Sequence, residues 1–123
     1  MFNDKEYNNK IETLIGEGCN IKGALSGSGL LKVDGIIDGN IIWNDDIIIG
    51  CPSVCTGNIS CKNITVNGII KGNITCKETL CIESTGKING DIKVKNISIK
   101  EGGSIEGKCT MIDSPDEKEI FKV

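Results

Sequence analysis

The chain contains no histidine, and among its 123 residues only four are aromatic, three of them (Phe2, Tyr7 and Phe121) close to its ends. Without histidine the commonest general base and zinc ligand is missing, so catalysis built on either is excluded. With so few aromatics, an interior must be assembled from Ile, Val, Leu and Cys, which suits layers of β-branched side chains on strands. Proline is scarce too, at Pro52 and Pro115 only; sixteen glycines and a period-2 apolar spacing, rather than proline, argue against long helices. No apolar run reaches the roughly 18 residues of a membrane-spanning helix. The net charge of −3 comes from interspersed signs, which leaves no basic face for nucleic acid. No Gly-x-x-x-x-Gly-Lys-Ser/Thr phosphate loop occurs, and Gly27-Ser28-Gly29 is too short and isolated to replace one.

Residues 1–12 are polar and charged, without the apolar core of a signal peptide, so the expected location is cytoplasmic. The seven cysteines then read as reduced thiols. No Cys-x-x-Cys pair exists, so no metal or other cofactor is expected. Four Asn-x-Ser/Thr triplets, at Asn58, Asn63, Asn73 and Asn96, follow from Asn at corners ahead of strands whose outward residues are Ser or Thr. The close acidic pairs, Asp45-Asp46 and Asp34/Asp38, read as solvated corners rather than a catalytic dyad.

What the sequence does possess is a repeat. Ile21-Lys22-Gly23-Ala24-Leu25 is followed by Ile37-Asp38-Gly39-Asn40-Ile41 and Cys55-Thr56-Gly57-Asn58-Ile59. Then come Ile70-Lys71-Gly72-Asn73-Ile74, Ile88-Asn89-Gly90-Asp91-Ile92 and Ile105-Glu106-Gly107-Lys108-Cys109. The central glycines, Gly23, Gly39, Gly57, Gly72, Gly90 and Gly107, are spaced by 16, 18, 15, 18 and 17 residues and read as structural turn residues. An apolar-x-apolar pattern keeps the same beat through Leu31-Lys32-Val33, Ile47-Ile48-Ile49, Ile64-Thr65-Val66, Leu80-Cys81-Ile82 and Ile97-Ser98-Ile99. Two patterns in phase mark a solenoid, whose repeats bury their apolar faces by stacking on one another.

Residues 64–79 illustrate one repeat. Ile64 and Val66 point inward with Thr65 outward, because strand side chains alternate. Asn67-Gly68 turns the chain, Ile69-Ile70 forms a second side, and Lys71-Gly72 a second corner. Ile74 and Cys76 then line a third side, with Cys61 and Cys76 as small apolar fillers where other repeats carry Trp43, Val94 and Met111. The expectation is an all-β, three-sided parallel β-helix of about six turns over residues 13–112, with flexible tails at 1–12 and 113–123. At about 4.8 Å per turn, the stack is roughly 30 Å long.

The Ile-x-Gly-x-Ile turns, the opening Thr13-Leu14-Ile15-Gly16, the Val33-Asp34-Gly35 turn and the closing Gly107-Lys108-Cys109-Thr110-Met111 resemble those of the bactofilins. These are polymer-forming bacterial cytoskeletal proteins. The resemblance covers the whole repeat region, and it implies a right-handed coil that assembles into filaments without nucleotide. It also implies a scaffold on the inner membrane face for cell-shape, envelope or motility machinery. Hexapeptide acyltransferases and pectin-cleaving β-helices fit less well: the steps are not a strict 18, histidine is absent, and no long loop projects from the coil.

An open coil end presents unpaired strand edges and an uncovered apolar section. The expected polymerisation interface is therefore Thr13, Ile15, Ile21 and Leu25 in the first turn, with Ile97, Ile99, Ile105, Cys109 and Met111 in the last. Met1 and Phe2 are the candidate membrane contact. The expected partners are a second copy of the chain, the inner membrane surface and the proteins it scaffolds. The competing reading is a monomeric or small-oligomer β-helical binding module without catalysis.

Overall fold

Short apolar-polar-apolar runs set the elements: each is too brief for a helix but fits one side of a coil. In the computed structural model, which describes residues 11–113 and 116–122, the first turn comprises β1 (Ile11–Ile15), β2 (Asn20–Lys22) and β3 (Leu25–Gly27). The second comprises β4 (Leu30–Val33), β5 (Ile36–Asp38) and β6 (Ile41–Trp43), and the third β7 (Asp46–Ile49), β8 (Val54–Thr56) and β9 (Ile59–Cys61). Further along come β10 (Asn63–Val66), β11 (Ile69–Lys71), β12 (Ile74–Ile82), β13 (Lys87–Asn89), β14 (Ile92–Ile99), β15 (Ser104–Glu106) and β16 (Lys108–Asp113). The long strands β12 and β14 each run around a corner, ending one turn and opening the next. Among the described residues there is no helix, and the coil makes about six turns.

Every strand pairs in parallel with its counterpart one turn away, so a full turn serves as the crossover that parallel strands need. The registers are those expected from the repeat: Leu14, Lys32, Ile48, Thr65, Cys81 and Ser98 form one outward row on the first side. Ile37, Cys55, Ile70, Ile88 and Ile105 form one buried row on the second. The core is a column of such rows, and the middle turns are sealed: Leu31, Ile47, Ile64 and Leu80 are at most 1% exposed. Burying each of these side chains stabilises the coil by about 1.5–3 kcal/mol.

The uneven period has a local cause. The corner between first and second sides takes two residues at 34–35 and 67–68 but four at 16–19, 50–53, 83–86 and 100–103. The corner between third and first sides takes one or two. The corner between second and third sides is a glycine and one following residue in the first five turns, and Gly107 alone in the sixth, where β16 begins at Lys108. Each of its glycines has a positive φ, from 128° to 158°. From the second turn on, a Cβ there would collide with the carbonyl oxygen of the corresponding glycine one turn earlier, so only glycine allows the turns to close up.

The residue after that glycine builds a ladder. Asn40 Oδ1 accepts the Asn58 N–H at 2.9 Å, and Asn58 Oδ1 accepts that of Asn73 at 3.1 Å. Asn73 and Asp91 extend the series to the N–H groups of Asp91 and Lys108. The Asn-x-Ser/Thr triplets at Asn58 and Asn73 thus arise from a corner ladder followed by an outward Ser or Thr. At the third corner Asn63 Oδ1 similarly accepts the Thr79 N–H at 3.0 Å.

On the third side Trp43 occupies the inward row and is 6% exposed, its Nε1–H donating to the Gly29 carbonyl at 2.6 Å. Its ring needs the space over Gly27, where a Cβ would lie 2.7 Å from it. Cys61, Cys76, Val94 and Met111 continue the row. Burial pushes the Cys55 and Cys109 thiols up, and contact with the Cys76 thiol together with burial holds Cys61 well above the ordinary thiol range. These thiols stay protonated and pack as small apolar groups.

At the C-terminal end Asp116–Lys122 forms β17, which lies antiparallel to β16. At the other end β1 starts at Ile11, two residues ahead of the expected Thr13.

Candidate functional site

No side face of the coil gathers reactive groups. The acidic corners are engaged in structural bonds: Asp45 accepts the Gly29 N–H at 2.7 Å, Asp46 accepts from the Asn63 amide, and Asp34 pairs with Lys32 at 2.8 Å. Among the described residues no group of three or more His, Cys, Asp or Glu is placed to hold a metal ion. The surface hollows are open furrows between outward strand residues, such as the one lined by Asn40, Ile42, Asn58, Ser60, Asn73 and Thr75. Another is lined by Lys71, Lys87 and Glu106 beside outward Ile69, and it is equally open. On the second side Ile36, Val54 and Ile69 make a short outward apolar row in register, a feature hidden in the sequence by the adjoining buried isoleucines.

The ends are different. Among the described residues, nothing pairs with the outer edges of β1, β2 and β3, each of which has a single neighbour in the second turn. Of the four predicted interface residues there, Thr13, Ile21 and Leu25 are half-buried, and Ile15 is only 6% exposed because it packs under Val33 in the next turn. Gly23 belongs to the same layer. No atom lies within 4 Å of its missing Cβ, because no earlier turn among the described residues supplies one.

At the far end β15 has one neighbour, β13, and Asn96–Ile99 of β14 has one, β12. Ile99 is exposed at 42% and Ile97 and Met111 are half-buried. Ile105 and Cys109, expected on the end section of the last turn, are buried at 2% and 0%. There β17 runs along β16 and opposes Phe121 to Cys109 in register. The predicted interface is therefore brought together as two end layers. The first is open on three sides and the last on two.

Met1 and Phe2, the candidate membrane contact, lie outside the described residues. No helix among the described residues is long and apolar enough to cross a membrane.

The coil thus has sealed middle turns and, among the described residues, end strands with a single neighbour at β1, β2, β3 and β15. A family model described as "Bactofilin: Polymer-forming cytoskeletal" matches residues 13–110, which is the repeat region from β1 to β16. Comparisons with curated proteins and with solved structures each return no match. The stacked Ile-x-Gly-x-Ile turns and the match across them agree, and the chain belongs to the bactofilins, the polymer-forming cytoskeletal family.

Proposed function

We propose that this bactofilin assembles end to end into filaments that need neither nucleotide nor metal, and that these serve as a membrane-associated scaffold. The observation that carries the reading is the contrast between sealed interior turns and single-neighbour strands at both ends. A strand edge left in water keeps its hydrogen-bonding groups solvated, and pairing it with another edge also buries the apolar layer beside it. Joining two ends completes both. No step in that association involves a phosphate or a change of oxidation state, so chelators and nucleotides leave it unaltered.

Arginine at Leu25 or Ile99 places a charge that a junction would have to desolvate, while the interior turns stay intact. The expected outcome is folded, soluble, short particles in electron micrographs where wild-type protein gives filaments. Ile99 is the informative position at the C-terminal end, since Ile105 is buried and its replacement would disturb the fold itself. A wild-type chain that stays monomeric at micromolar concentration across a range of salt would sink the reading in favour of a β-helical binding module.

The membrane part rests on Met1 and Phe2. One aromatic residue anchors a single chain only marginally, but a filament repeats the contact along its length, and effective concentration multiplies it. Co-sedimentation with liposomes should therefore be strong for the full chain and weak for one lacking residues 1–10. Equal binding by both would remove the membrane from the account.

A further inference from the structure

The two ends are unequal because of β17. Every pairing between successive turns is parallel, and the β16–β17 pair alone is antiparallel among the described strands. β16 is the third-side strand of the last turn. One of its edges is taken by β14, through Ile92↔Cys109, Lys93↔Thr110 and Val94↔Met111. Its other edge faces away from the coil, in the direction in which a seventh turn would stack, and β17 occupies it from Lys108↔Lys122 to Asp113↔Asp116. A strand has two edges, so while β17 is in place no strand of a second chain can pair with β16.

The pairing is also easy to undo. The ladder slips between Cys109 and Thr110, whose partners Phe121 and Glu119 are two residues apart, so Ile120 has no partner in the ladder. In sequence, five of the seven residues Asp116-Glu117-Lys118-Glu119-Ile120-Phe121-Lys122 are charged, the composition that blunts a sheet edge against further pairing.

We propose that β17 is a displaceable strand cap on the C-terminal end of the coil. The edge of β16 receives one strand, either β17 of the same chain or an end strand of a second copy. Growth at that end therefore requires β17 to leave. The cap rests on the end-to-end reading above and regulates the same surface: it raises the concentration at which the C-terminal end is extended and leaves the N-terminal end untouched. Any binding event or modification that withdrew residues 116–122 would promote assembly.

Three forms of the protein test this by pelleting and electron microscopy over a concentration series: the full chain, a chain ending at residue 113, and the full chain with Lys118→Pro. Proline removes a backbone donor in the middle of β17, opposite Met111, without touching the coil. Lys118→Ala, which keeps the donor and loses the charge, is the control. The truncated and proline forms should assemble at a critical concentration roughly tenfold lower than wild type, equivalent to about 1.4 kcal/mol removed from the growth step. Lys118→Ala should stay close to wild type. Filaments from all forms at one critical concentration, or weaker assembly after truncation, would overturn the cap while leaving end-to-end growth standing. Absence of assembly in every form would instead overturn the end-to-end reading, and the cap with it.

Discussion

Gly72 in the fourth turn and Gly23 in the first hold the same corner with the same kind of backbone, at φ of 151° and 128°. Around Gly72 a methyl group would strike the Gly57 carbonyl, whereas around Gly23 it would meet nothing within 4 Å. The same contrast runs through the rows of the core. Ile74, between Ile59 and Ile92, is 1% exposed, while Leu25 in the corresponding place of the first turn has, among the described residues, one ladder partner, Ile41, and is half-buried. One repeat thus has two energetic meanings. Inside the stack it is a structural requirement; at the end it is an available surface.

Three measurements would sharpen or break that comparison. The largest effect is expected for Ile74→Asp, which leaves a charge without a partner between two sealed layers and should lower stability by several kcal/mol in urea unfolding. Leu25→Arg in the same assay should cost far less, since its side chain can reach solvent. Equal losses would mean the end layer is not open. Next come Gly72→Ala and Gly23→Ala. Both suffer the strain of a side chain at positive φ, about 1–3 kcal/mol. Only Gly72→Ala also forces two turns apart, so its melting temperature should fall well below that of Gly23→Ala. If the two variants melt together, close stacking is not what the corner glycines serve.

The smallest effect concerns the corner ladder. Asn58→Ala removes the acceptor for the Asn73 N–H in an exposed position and should cost about 0.5–1.5 kcal/mol. Ala24 stands at the head of that ladder with no acceptor to offer, so Ala24→Asn should extend it by one rung and raise stability by a few tenths of a kcal/mol. A loss of stability in Ala24→Asn would show that the ladder does not continue into the first turn.

Most of the fold could be read from the order of residues. The inward and outward rows, the six turns and the role of Cys61 and Cys76 as fillers follow from a period-2 alternation repeated in phase, because stacked copies of one pattern leave little freedom of register. The end layers were legible for the same reason. Three things were not. The Asn ladder looked like a set of glycosylation triplets, since its partner lies a full turn away at a corner whose closeness only the stack reveals. Gly27-Ser28-Gly29 looked like an isolated flexible stretch, yet Gly27 is the seat of the Trp43 ring and Gly29 accepts its N–H. The pairing of β17 with β16 was not legible because five charged residues in seven make Asp116–Lys122 read as a solvated tail.

Composition and period by themselves determined that this chain is a stack of three-sided turns, and that no histidine stands anywhere in it. They could do so because each turn repeats a local rule: alternate inward and outward, then place glycine where the backbones crowd. What only the tertiary structure decided is the inequality of the ends. Whether an edge strand stays open depends on whether another segment pairs with it, and β17 pairs with β16 while, among the described residues, no segment pairs with the outer edges of β1, β2 or β3. Edge pairing is made through backbone groups common to all residues, so no pattern of side chains announces it.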